Sequence, residues 1–344
     1  MTRRGWRSRL ADTLIRWGSA LQPARSLPPP PLVPPPEPTV DHHQQAAATK
    51  LPGVRAPLSI ERAVRSRDLT VLKREACDAL AALGAAHAVV TSARLAQIQS
   101  LRAEVDRDTL RRHLESFGDG SALDFVHLCC LARAWASLNR ELREPAAPLP
   151  LRQAILRHIL SFETSNGGFH PARGETFGTA YGAFLALGAS QDLGIPLPDP
   201  TRLASSLAEL RTADGAWTNE LRAGVPMTIG STNATAAAVA VLRNLGTPTP
   251  SGVSRWLLAS AHPGGGFLAM PRAPIPDLLS TATALHALAG LGAPLRPVQE
   301  ACLDFIDTLW TNAGSFHGNW TEETLDSEYT FYGLLALGHL SATR

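Results

Sequence analysis

Two carboxylic acids, Asp326 and Glu328, stand two residues apart at the start of a helical run that also carries Tyr329, Phe331 and Tyr332. A third acid, Asp277, opens an earlier run of the same kind behind Pro274 and Pro276. Two kinds of work are open to such groups. An acid at a helix start commonly accepts hydrogen bonds from free backbone N–H groups, as a cap. Proton donation is the other use, and it needs a dry pocket whose neighbours keep the carboxyl group protonated. The positive end of a helix acts against that by favouring the carboxylate. The aromatic residues Tyr329, Tyr332 and Phe331, with Tyr181 and Phe184 of an earlier helix, fit core packing or a cavity wall, where ring faces stabilise cations. His170 and His317 lack the close spacing of a metal-ligand set, so ordinary rim residues are expected there, with no metal and no cofactor.

Composition narrows the setting. The 344 residues are 44% hydrophobic and 18% charged, enough to bury a large core. A net charge of +2, with Lys and Arg scattered along the chain, argues against a nucleic-acid partner. Cys77, Cys129, Cys130 and Cys302 form no Cys-x-x-Cys pair and no disulfide framework, which fits a reducing compartment and a cytoplasmic location. No stretch approaches the roughly 20 apolar residues of a membrane span.

The elements that must position the acids begin after a distinct N-terminal region. Residues 1–22 form a basic amphipathic segment, with Trp6, Leu10, Leu14, Trp17 and Leu21 on one stripe. Residues 2–21 are therefore a candidate membrane-surface contact, peripheral to a bilayer, or else a tail that docks on its own domain or stays frayed. Residues 23–57 are a proline-rich linker. From 58 to 344 the pattern is helical, and it repeats. Gly-x-aromatic recurs as Gly167-Gly168-Phe169, Gly215-Ala216-Trp217, Gly265-Gly266-Phe267 and Gly314-Ser315-Phe316, with glycines 48, 50 and 49 residues apart by subtraction. Such a period marks stacked supersecondary units.

Helix ends at Leu187-Gly188, Leu245-Gly246, Leu291-Gly292 and Leu337-Gly338, with earlier counterparts at Leu83-Gly84 and Leu138-Asn139, give about six helix pairs. Second helices such as 179–187, 235–245 and 281–291 are Ala-rich and almost free of charge, so they belong inside; the first helices, charged on one side, belong outside. Inner helices buried on nearly all sides favour closure into a ring over an open solenoid. The expected fold is all-α, an α/α toroid.

The repeats resemble those of protein prenyltransferase β subunits and of squalene and class II terpene cyclases, over residues 60 to 340. Members carry a repeat in which an aromatic and an aliphatic residue precede a Gln, followed by Gly-x-Trp or Gly-x-Phe. Here the spacing is kept and the Gln is replaced by Glu163, Arg211, Ala261 and Trp310. The resemblance implies a D-x-D-D-T-A motif at the start of an inner helix, whose middle acid protonates an alkene or epoxide. Aligned on their Thr, the four versions begin at Glu175, Ser231, Asp277 and Asp326, and none is complete.

Only the last version has a carboxyl group in the donor position, Glu328, with Asp326 to orient it. The zinc motif of the prenyltransferases, D-x-C-Y with a later His, is also broken, because Glu328 stands where Cys would be. The resemblance thus implies an isoprenoid or other lipid-like small molecule in a central cavity. Glu328, Asp326 and Asp277 are its candidate catalytic residues, and Tyr329, Tyr332, Phe331, Tyr181 and Phe184 its candidate walls. The alternative is a toroid without chemistry that binds a lipid or a protein partner.

Overall fold

A computed structural model describes residues 71–76, 94, 97, 107–138, 145–221, 228–311, 313–325 and 327–342. The N-terminal amphipathic segment, the proline-rich linker, Gly84, Asn139 and Asp326 lie outside the described residues. The chain divides into Met1–Val54 and Arg55–Arg344, and every described residue is in the second unit.

Among the described residues ten helices have both ends defined: α1 (Arg107–Glu115), α2 (Phe125–Leu138), α3 (Leu149–Leu160), α4 (Ala180–Leu193), α5 (Pro200–Glu209), α6 (Thr232–Asn244), α7 (Val253–Ala259), α8 (Leu278–Gly290), α9 (Arg296–Leu309) and α10 (Ser327–Ser341). Helices α2, α4, α6, α8 and α10 pack side by side in that order, while α3, α5 and α7 each bridge two successive members of the series and α9 packs on α10. This is the inner and outer arrangement expected from charge. On α9 the apolar side, with Leu303, Phe305, Ile306 and Leu309, is buried, whereas Glu300, Asp304 and Asp307 face solvent. Inner helix α8 has no Asp, Glu, Lys or Arg, and its Ala282, Ala284 and Ala287 let neighbours approach closely. The series returns to its start: the Arg94 side chain meets Glu328 and Tyr332 of α10 across more than 230 residues of sequence. That contact ties a residue ahead of α2 to the last inner helix.

The repeated turns keep their geometry without the Gln of the pattern that the sequence resembles. Glu163, Arg211, Ala261 and Trp310 each make an antiparallel backbone bridge with the repeat aromatic, Phe169, Trp217, Phe267 and Phe316. Backbone pairing leaves the side chain free to vary, and three of the four positions have found a partner of their own. Glu163 pairs with Arg202 at 3.2 Å, the Arg211 guanidinium lies 4.3 Å from the Trp217 ring centroid, and Trp310 packs edge-on against Phe316. The four aromatics are buried. The glycines that lead into them all take left-handed backbone, with φ of 82°, 89°, 95° and 82°, a region that side chains with a Cβ disfavour.

Two register readings are corrected. Thr179 is not equivalent to Thr235 and Thr281. It is the N-cap of α4, accepting from Gly182 N–H at 2.8 Å, in the place held by Ser231 on α6 and Asp277 on α8. Thr235 and Thr281 lie one turn further in, where their hydroxyls accept from the Trp217 and Phe267 N–H groups. The Leu-Gly ends also divide. Gly246 and Gly292 are left-handed stops, but Gly188 and Gly338 lie inside their helices, and α4 runs on to a left-handed Gly194. Nothing after Gly188 or Gly338 breaks a helix: Ala189-Ser190-Gln191 and His339-Leu340 continue it.

Candidate functional site

Neighbours on both sides and outer helices behind leave each inner helix one partly open stripe, and the stripe can be read in layers. The second residues are Tyr181, Asn233, Leu279 and Glu328; the sixth are Leu185, Ala237, Thr283 and Tyr332. All eight are partly accessible, while the flanking residues Ala180, Ala234, Ser280 and Thr330 are buried. Adjacent helices touch along this stripe: Thr283 Oγ1 donates to Asn233 Oδ1 at 2.8 Å.

Arg94 sits at the level of the first turns. One guanidinium nitrogen donates to Glu328 Oε1 at 3.0 Å and to the Tyr332 hydroxyl at 3.4 Å. Its carbon stands 4.5 Å from the Phe331 centroid and 5.3 Å from that of Tyr332, so the cation rests against both rings. Tyr181 of α4 and Cys130 of α2 come within the electrostatic reach of the same pair from other parts of the ring. Burial pushes the Tyr332 hydroxyl up to about 12, against the field of Arg94. Cys130 also goes up to about 12, chiefly through burial, and the Tyr181 hydroxyl well above its ordinary value for the same reason. All three are therefore neutral near pH 7, and Glu328 is the counter-charge of Arg94.

The sequence candidates separate in space. Glu328, Phe331, Tyr332 and Tyr181 converge on or near Arg94. Phe184, 38% exposed, lies on the open side of α4 in the helix position that Phe331 holds on α10. Tyr329 turns away, and its ring lies where a side chain on Gly318 of the rim loop would stand. Asp277 is buried, and its Oδ1 caps α8 by accepting from Ser280 N–H at 2.7 Å. Its Oδ2 and the Ser280 hydroxyl are buried without hydrogen-bond partners. Burial raises the Asp277 carboxyl to about 6, opposed by the backbone N–H groups at the start of α8.

His170 lines a rim pocket of about 210 Å³ with Glu175, Phe177 and Glu220, while His317 belongs to the fourth turn. Among the described residues no group of three or more His, Cys, Asp and Glu side chains is placed to hold a metal ion.

Sequence reasoning missed Arg94 and Cys130, which stand outside the four clear repeats and carry no local spacing signal. It also passed over His286, where a signal existed. His286 is the one side chain ionisable near neutral pH in α8, and it meets His339 of α10.

These features place the chain in a class, the α/α toroid with an inner helical wall. The description "Prenyltransferase alpha-alpha toroid domain" matches residues 234–343. Candida albicans protein geranylgeranyltransferase-I, solved in complex with GGPP, superposes with a TM-score of 0.53 at 14% identity, covering 82% of this chain and 90% of that one. A type II terpene cyclase from Scytonema, at 12% identity, covers 82% of this chain and 97% of its own with a TM-score of 0.48. No curated protein matches the chain by sequence. The chain thus has an α/α-toroid fold, as the geranylgeranyltransferase does. Among the described residues no helix is long and apolar enough to cross a membrane.

Proposed function

We propose that the ring holds an isoprenoid-type apolar chain and binds it without transforming it. The observation that carries this reading is the position of Arg94. It occupies the carboxylate and the aromatic faces that a protonation-initiated cyclisation would need, and leaves an inner wall with an apolar open stripe through Phe184, Leu185, Ala237, Leu279 and Leu335. Apolar surface favours an apolar occupant by about 25 cal/mol per Å² removed from water. The geranylgeranyltransferase of like fold, solved with GGPP, agrees with the ligand class. Contact of residues 2–21 with a membrane surface would bring the ring to the phase in which such a lipid dissolves, and a protein partner receiving the lipid would complete the role.

A second reading, acid catalysis, rests on Asp277. It is a buried carboxyl group at an inner-helix start, raised to about 6, with one oxygen unengaged. In that case Asp277 would give the proton, and Asp326 with Glu328 would act on the charge that develops.

Native mass spectrometry of the full chain with geranylgeraniol tests the binding reading. A 1:1 complex is expected, weakened at least about tenfold by Phe184→Asp, which puts a charge into the apolar stripe. No complex, or one indifferent to that change, would refute it.

A further inference from the structure

The pair formed by His286 and His339 belongs to neither reading. It lies on adjacent inner helices, with His286 the ninth residue of α8 and His339 the thirteenth of α10, about 10 Å or more along the ring axis from the Glu328 layer at 1.5 Å per residue. His286 Nδ1 stands 3.0 Å from His339 Nε2, with ring centroids 5.1 Å apart and ring planes inclined by 58°. One ring donates its N–H to the other's lone pair. Burial lowers both imidazoles, His286 with help from Arg243 and His339 to about 4 with help from His286, so both rings are neutral at pH 7.

Two neutral imidazole nitrogens about 3 Å apart have the separation of neighbouring ligands on one metal ion. With metal–nitrogen bonds of 2.0–2.1 Å, that separation is about 2.9 Å in octahedral and about 3.4 Å in tetrahedral geometry. We propose that His286 Nδ1 and His339 Nε2 form a two-imidazole site for a divalent transition metal, with the remaining positions open to water or an anion. The ring that now donates moves its proton to its far nitrogen, so each ligand nitrogen presents a lone pair and no net proton is released at pH 7. The field of Arg243, on α6, reaches His286. It opposes a bare dication and favours one that carries an anionic co-ligand. The site is remote from the first-turn level at which the zinc motif of the resembled family would fall, and it uses different residues.

The test uses the full-length protein stripped with chelator and titrated with Zn²⁺ by calorimetry. One ion per chain is expected. His286→Gln and His339→Gln should each weaken binding about tenfold or more, because a chelate loses one of its two linked contacts. Arg243→Gln should strengthen it. Unaltered affinity in the double His variant, or no binding at millimolar Zn²⁺, overturns the site. A measurement without variants guards against misfolding: the electron paramagnetic resonance spectrum of the Cu²⁺-loaded protein should show coupling to two imidazole nitrogens. Coupling to none or to one means an adventitious ion only, and overturns it equally.

Discussion

Arg94 and Glu328 are 14% and 27% exposed as side chains, so each is held largely out of water beside the other. Removing one partner of such a pair leaves an uncompensated charge. Arg94→Met and Glu328→Leu should each destabilise the fold by about 1–3 kcal/mol, and the double variant by less than their sum, in urea unfolding. Additive effects would mean that the pair does not couple. Asp277 carries the opposite kind of electrostatics. Its folded carboxyl is raised to about 6, above the unfolded value near 3.9, so the folded state binds the proton more tightly. Its contribution to stability therefore falls as pH rises from about 4 through 6, by up to about 3 kcal/mol. Asp277→Asn keeps an N-cap oxygen and should remove that slope, which unfolding at pH 4.5 and pH 7 reads directly. His339, lowered to about 4, acts in the other sense: its contribution is lost as pH falls below about 6.5. The Asp277→Asn comparison is therefore made against the wild-type curve across the same window.

Helix pairs and their turns set where these side chains stand. Gly265 has φ of 95°, and a Cβ there would collide with the Ala301 carbonyl and Phe305 of α9; Gly246 has φ of 68° with open space around it. Gly246→Ala should cost about 1–2 kcal/mol, the left-handed penalty alone, and Gly265→Ala clearly more, because it also pushes α9 away from the turn. Equal losses in thermal unfolding would show that the turn does not key the outer helix. Much at this scale was legible in the sequence. The Gly-x-aromatic period marked the turns because a left-handed glycine and a buried aromatic are local requirements of each unit. Helix starts were less legible: Thr, Ser and Asp all cap, so Thr179 aligned with Thr235 by identity while the backbone places it with Ser231 and Asp277. Gly188 and Gly338 misled for a related reason, since a glycine stops a helix only where the following residues permit it.

The whole ring decides what the acids can do, and that was the least legible scale. Glu328 reads from sequence as the sole carboxyl group in a donor position, and its guanidinium partner lies more than 230 residues away, in a part of the chain without a repeat signature. Closure brings the two together and places a resident cation against Phe331 and Tyr332. The most direct measurement is therefore of turnover. The purified full chain is incubated with geranylgeraniol and with its terminal epoxide, and extracts are analysed by chromatography and mass spectrometry alongside Arg94→Met and Asp277→Asn. Binding with recovery of both compounds unchanged by the wild-type protein is the expected result. A cyclised product formed by the wild-type chain and lost in Asp277→Asn would contradict it.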